Sequence, residues 1–139
     1  KQHISTDTEI NLKVGGLAKA LDQASLAIAS SGTITMECAW FQVPTVVLYK
    51  TSQMTHLLAK ALLKIPYLAM PNLLAAEELF PEFIQSNANA SNLSKASIRL
   101  LMDKSERARI LNGLDRVANQ LGQPGAVNRA AQAVLSALE

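Results

Sequence analysis

"LAIASSGTITMECAWFQVPTVVLY", residues 26–49, sets a strand, a turn, a helix and a second strand in immediate succession. Leu26–Ala29 is a short apolar run that reads as a buried strand, and it stops abruptly at Ser30-Ser31-Gly32-Thr33. Thr33–Trp40 follows with helical spacing. Pro44–Tyr49 is β-branched and apolar behind a proline, which belongs at the start of a strand and not in its middle. Apolar strands alternating with helices predict a parallel sheet covered by helices, hence an α/β fold.

Working outward, Glu9–Val14 alternates polar and apolar residues as a strand would, and Gly15-Gly16 ends it. Leu17–Ala24 reads as a short helix. Residues 53–64 form an amphipathic pattern, and Tyr67–Met70 an extended piece that leads into Pro71-Asn72. Beyond it, residues 75–85 suggest a short helix interrupted near Pro81. Ser91–Met102, Ser105–Leu121 and Val127–Leu138 read as helices, the last two parted by the Gly122–Gly125 turn. The chain therefore reads as an α/β half followed by an all-helical half.

Composition narrows the function. Half the chain is apolar (49%), so its 139 residues suffice for one real core. No apolar run approaches the roughly 20 residues of a membrane span. A net charge of +2 and few aromatic residues argue against general nucleic-acid binding. One cysteine forms no internal disulfide, and two histidines assemble no zinc set. The lone cysteine and the lack of a secretory signal suggest a cytoplasmic protein. Cys38, Trp40 and Phe41 are expected in the core, as are Leu100, Leu101, Ile110, Leu111, Leu114, Val117 and Leu121. His56, Lys60 and Lys64 repeat every four residues; the stripe suits either a solvated face or an anionic lipid surface.

The turn at residues 30–33 offers chemistry. In open parallel sheets, ligands bind beyond the carboxyl ends of the strands, where loops enter helix N-termini. Gly32 permits close backbone approach, Ser31 and Thr33 bring hydroxyls, and the helix N–H groups suit a phosphate. Glu37 lies one turn beyond Thr33 on the same face, placed to accept hydrogen bonds from a ribose diol. A second reading stays open: Ser31 or Thr33 caps the helix, and Glu37 favours its positive end.

Several segments at matching spacing resemble the lipid-A-disaccharide synthase family, glycosyltransferases that join UDP-2,3-diacylglucosamine to lipid X. They are Ser31-Gly32-Thr33 with Glu37, Pro44 with Val46-Val47 and Tyr49-Lys50, Leu58-Ala59-Lys60, Pro71–Ala75, Pro81–Gln85, and the Leu121–Ala126 tail with Arg129–Ala131. The resemblance implies the C-terminal half of a GT-B architecture, with residues 1–90 a Rossmann-like UDP-sugar-binding region whose first strand is missing and residues 91–139 a helical region packed on it, and metal-independent, inverting hexosyl transfer in lipid A synthesis. It implies UDP-sugar contacts at Ser31, Gly32, Thr33, Glu37, Asn72 and Gln85, with Asn72 at the end of a sheet segment facing the cleft and Glu78 also within the motif. No catalytic residue, metal ligand or cofactor is expected in this chain. The partners implied are the donor, a lipid acceptor, an N-terminal acceptor domain, a second copy through the C-terminal helices and the inner membrane surface. Ala76-Glu77 and Lys50 depart from the family's Gly-Arg and Arg. Other GT-B enzymes would use the same turn, among them the transferase acting on lipid I and UDP-N-acetylglucosamine 2-epimerase. A truncated, non-catalytic homologue is a further alternative.

Overall fold

The computed structural model describes residues 9–51, 66–122 and 125–137. The amphipathic pattern at 53–64, with His56, Lys60 and Lys64, lies outside these residues. Three strands, β1 (Ala27–Ser30), β2 (Thr45–Tyr49) and β3 (Glu82–Ile84), form a parallel sheet in the order β1-β2-β3. The register runs from Ala27↔Thr45 to Ser30↔Leu48 and from Val47↔Glu82 to Tyr49↔Ile84. Six α-helices accompany it among the described residues: α1 (Leu17–Asp22), α2 (Thr33–Trp40), α3 (Met70–Ala75), α4 (Ala90–Met102), α5 (Lys104–Gln120) and α6 (Ala126–Ser136). The chain is thus α/β with a Rossmann-like parallel sheet, as its alternating pattern predicts.

β2 is the central strand, and its Val46 and Val47 are buried on the two faces of the sheet. That explains why Pro44–Tyr49 lacks the alternation of a half-exposed strand. α4 packs on β2, and α5 packs on α2, α3 and α4. Leu100 of α4 and Ile110, Leu114 and Val117 of α5 join Val43, Leu79 and Phe80 in the buried core. Cys38 is in that core as well, beside the Thr45 hydroxyl, and burial pushes its thiol up from the ordinary range. α6 contributes no buried residue.

Several expectations are corrected. Glu9–Val14 is not a strand: Leu12 and Val14 are 94% and 106% exposed. Alternation supplies an apolar face, but a strand also needs a neighbouring ladder, and these residues have none. Trp40, at the last position of α2, is 57% exposed, whereas Phe41 packs against the core. Leu101 and Leu121 are also exposed, on the outer sides of α4 and beyond the end of α5. Residues 76–85 hold no α-helix. The helix there lies earlier, at Met70–Ala75, where Pro71 occupies the first turn and its missing N–H has no cost. Pro81 then opens β3, with its carbonyl accepting from Val47 N–H at 2.9 Å.

α4 and α5 meet at one residue, Asp103, whose carboxylate accepts from the N–H groups of Ser105 and Glu106, each at 3.0 Å. These bonds favour the ionised carboxylate and hold its pKa below the ordinary carboxylate range. A depressed folded value contributes stability above the unfolded carboxylate range and loses it as pH falls through the folded value. Acidification from neutral pH to about 3 should therefore lower the urea midpoint less steeply in Asp103→Asn, which keeps a cap without a charge, than in the unsubstituted chain.

Gly113, inside α5, faces Leu79. A methyl group there would sit 2.2 Å from Leu79 Cδ2, and Leu79 is fully buried with no room to withdraw. Alanine gains about 1 kcal/mol of helix propensity, against an overpacking cost of about 1–3 kcal/mol that so deep an overlap places at its upper end. Gly113→Ala should lower the urea midpoint, and the loss should shrink when Leu79→Ala is present as well.

Candidate functional site

The strands end together. Ser31 follows β1, Lys50 and Thr51 follow β2, and Gln85 follows β3, so all line the carboxyl edge of the sheet. Ser31 N–H continues the ladder to Leu48 C=O at 3.2 Å, which fixes where the turn leaves the sheet. Gly32 then has φ 146° and ψ −164°, a conformation close to exclusive to glycine. Among the described residues, a Cβ at Gly32 would meet nothing within 4 Å.

The capping reading of this turn is not what the structure holds. Gly32 is the N-cap of α2, and no side chain caps the helix. The Ser31 hydroxyl instead donates to Leu68 C=O at 3.2 Å, across to the segment that precedes α3. The buried Thr35 hydroxyl bonds back to Gly32 C=O at 2.7 Å, stiffening the turn from below. Thr33 is exposed at the start of α2. Glu37 is exposed one turn later, with no partner for its carboxylate among the described residues. An uncapped helix start carries partial positive charge from orphan N–H groups, and an unpaired acceptor stands behind it.

Asn72 does not end a sheet segment. It is the third residue of α3 and is fully buried. Its amide nitrogen donates to Phe80 C=O at 2.7 Å and to Glu82 Oε1 at 2.8 Å. Its oxygen accepts from Leu79 N–H at 2.9 Å and Phe80 N–H at 2.8 Å. These four bonds use every donor and acceptor of the amide, so Asn72 holds the wall of the edge and has no group left to offer a ligand. The resemblance implies Asn72 at a sheet end facing the cleft; Pro71, tolerated in a first helical turn, instead lies in a helix that carries Asn72 inward.

Glu82 is the residue that sequence reasoning left without a role. Its carboxylate accepts from Leu68 N–H at 2.8 Å and Ala69 N–H at 2.9 Å as well as from Asn72. One chain of bonds therefore runs Ser31–Leu68–Glu82–Asn72–Phe80 and ties the β1 turn to α3 and β3. Gln85 makes a second tie: its side chain donates to Thr51 C=O at 3.0 Å and accepts from Thr51 N–H at 3.2 Å. Gln85 has φ 53°, so backbone strain accompanies the placement. Glu78 is turned to solvent, and its carbonyl accepts from Arg109.

Ala76, where the resembled pattern has glycine, adopts the left-handed conformation (φ 54°, ψ 25°) that ends α3. Glu77 reaches α5 and pairs with Arg109 at 3.2 Å and with Arg116.

Removing the Asn72 amide would strand Phe80 N–H and Phe80 C=O in a dry interior and take one donor from Glu82, while Leu79 N–H keeps Glu77 C=O at 3.0 Å. With about 1–3 kcal/mol for each unsatisfied group and some relaxation, Asn72→Ala should lose about 3–5 kcal/mol in urea unfolding. Glu82→Gln, which keeps the shape but exchanges one acceptor for a donor facing N–H groups, should be measurably destabilised too.

A family model described as lipid-A-disaccharide synthetase matches residues 1–137. The chain is 37% identical over 118 residues to the lipid-A-disaccharide synthase of Synechocystis sp. (strain ATCC 27184 / PCC 6803 / Kazusa), which covers 84% of this chain and 30% of that protein. It is 39% identical over 118 residues to the synthase of Gloeothece citriformis (strain PCC 7424), covering 84% and 31% respectively. To that of Solibacter usitatus (strain Ellin6076) it is 38% identical over 121 residues, covering 86% and 32%. The chain thus spans less than a third of the length of these relatives.

Proposed function

The chain belongs to the lipid-A-disaccharide synthase family, a family of glycosyltransferases, and from that premise we propose that it is the part which binds the nucleotide-sugar donor. The observation that carries this reading is the glycine turn at the carboxyl edge of β1, uncapped at the start of α2 and, among the described residues, uncovered at Gly32 and with Glu37 unpaired one helical turn behind.

In this reading the diphosphate of a UDP-sugar lies against the Ser31-Gly32-Thr33 backbone, where orphan N–H groups of α2 and the Thr33 hydroxyl donate to its oxygens. Glu37 accepts from the two ribose hydroxyls. When the sugar's anomeric carbon is displaced and UDP departs, negative charge grows on the diphosphate. Fixed N–H dipoles meet that charge without reorganising, which is how a backbone site stabilises a leaving group without a metal. Asn72, Glu82 and Gln85 position the edge through the bonds described above. Lys50, exposed at the end of β2, adds a cation at the same edge.

The acceptor hydroxyl must be deprotonated by a group outside these residues, because none of the assigned side chains is left to act as its base. Transfer of a hexosyl unit from UDP-2,3-diacylglucosamine to lipid X would then need an acceptor-binding domain facing this edge. Work on a lipid acceptor would place the enzyme in the cytoplasm, against the inner membrane. Among the described residues no helix is long and apolar enough to cross a bilayer.

Calorimetric titration with UDP tests the assignment. Binding is expected, and Glu37→Ala should weaken it by about tenfold or more through loss of charge-assisted hydrogen bonds. Gly32→Ala should weaken it as well while leaving Glu37 in place. Absence of heat at millimolar UDP would overturn the donor-site reading, and binding indifferent to Glu37→Ala would remove the ribose assignment alone.

A further inference from the structure

Gln85 holds the backbone just beyond Lys50. Its amide accepts from Thr51 N–H at 3.2 Å and donates to Thr51 C=O at 3.0 Å, so both ends of the side chain face one residue of backbone. Thr51 N–H belongs to the peptide unit that leaves Lys50. Gln85 makes these bonds from a left-handed backbone, φ 53°, a region that glycine enters freely and glutamine does not. Such a conformation persists only where the surroundings hold it, and beside a ligand edge it points to function.

The clamp bears on a cation. The β1–β2 register pairs Ser30 with Leu48, and the β2–β3 register pairs Tyr49 with Ile84. Continued by two residues and by one, these registers set Lys50 level with Gly32 on one side and with Gln85 on the other. Neighbouring strands lie about 4.8 Å apart, so a lysine side chain at position 50 can reach the space beside the Gly32 turn. Lys50 is exposed and pairs with no acid among the described residues. Its ammonium is a point charge on a flexible stem. What the protein can fix is the backbone that carries the stem, and Gln85 takes hold of it there.

Resting on the donor-site reading above, we propose that Gln85 is a positioning residue: by fixing the Lys50–Thr51 peptide it sets the Lys50 ammonium against the phosphates at the Ser31–Thr33 turn, and Lys50 then ranks ligands by their phosphate charge. The N–H dipoles of the turn hold any phosphate. A full cation beside them adds most where the ligand carries most charge, so the edge prefers a nucleoside diphosphate to a monophosphate. Gln85 serves the diphosphate without touching it. A clamp that only stapled β2 to β3 would serve both ligands alike.

Calorimetric titration of the 139-residue chain with UDP and with UMP tests the proposal. Lys50→Met should weaken UDP about tenfold, as loss of a charge-assisted contact does, and UMP by less. Lys50→Arg should keep the preference for UDP. Gln85→Gly removes the amide but accepts φ 53° without strain, so the backbone conformation is retained. It should nonetheless take away a comparable share of the UDP preference. Gln85→Gly combined with Lys50→Met should bind UDP no worse than Lys50→Met alone, because the clamp acts through that cation. Added salt should narrow the preference in the unsubstituted chain and change it little in Lys50→Met or Gln85→Gly. The proposal is overturned when Gln85→Gly weakens UDP and UMP by one common factor, when it leaves the preference unchanged, or when its loss adds fully to that of Lys50→Met. Absence of heat with UDP in the unsubstituted chain removes the donor-site reading itself, and this proposal with it.

Discussion

The carboxyl edge of this sheet is organised by the bond between the Asn72 amide and the Glu82 carboxylate. β3 has three residues, too few to hold its own place, and α3 has six, below what an isolated helix needs. Each is short because the other completes it. Glu82 satisfies the N–H groups of Leu68 and Ala69 where α3 begins, and Asn72 satisfies the turn of Leu79 and Phe80 that delivers the chain to β3. Leu68 then passes the constraint to the β1 turn through the Ser31 hydroxyl. The two segments that carry the family resemblance most clearly, Pro71–Ala75 and Pro81–Gln85, are thus halves of one hydrogen-bonded unit.

That unit explains how an open turn stays rigid. Gly32 has an unusual backbone conformation and its helix lacks a side-chain cap, features that on a loose surface loop would blur the turn. Here the turn is held from below by Thr35, from the sheet by Leu48 and from the side by Leu68. The orphan N–H groups of α2 are consequently presented in a fixed array and not consumed by the protein. Stability is supplied in the buried wall, and the polar groups at the surface are left unspent. A site meant to meet charge that appears during a reaction works best when its dipoles are already oriented.

Much of this was legible in the sequence. Thr33–Trp40 and Pro44–Tyr49 are found where apolar runs, a glycine turn and a proline put them, because burial on both faces of β2 and the packed side of α2 leave a local signature. The long helices α4 and α5 were legible for the same reason. β3 was not, since a three-residue strand is decided by its partner and not by its own pattern. Glu9–Val14 failed the other way, with a strand's alternation and no ladder to join. The resemblance implies a ligand contact at Asn72; its burial and four internal bonds are tertiary facts with no local trace. Glu82 was overlooked on the same ground. Trp40 was assigned to the core by its size, but it falls at the last residue of α2, past the packed side.

The departure at Ala76-Glu77 can be weighed once the geometry is known. Alanine at φ 54° costs about 1–2 kcal/mol against glycine, so Ala76 keeps the helix end but at some strain. Glu77 is a larger chemical change where the resembled pattern has arginine. Its carboxylate is turned to Arg109 and Arg116 on α5, within a network that also includes Glu106 and Arg99. Glu106 holds Arg109 firmly protonated, above its already high ordinary value, so the acid at position 77 always meets a fixed positive charge. Each exposed pair contributes only about 0–1 kcal/mol, so the network does little for stability. What it does is electrostatic: it cancels an acid that would otherwise repel a diphosphate at the nearby sheet edge. Charge for the proposed donor must then come from the start of α2 and from Lys50, and Lys50 is a point charge without the fork of an arginine. The turn at Ser31-Gly32-Thr33 consequently carries more of the proposed binding in this chain than it would beside an arginine.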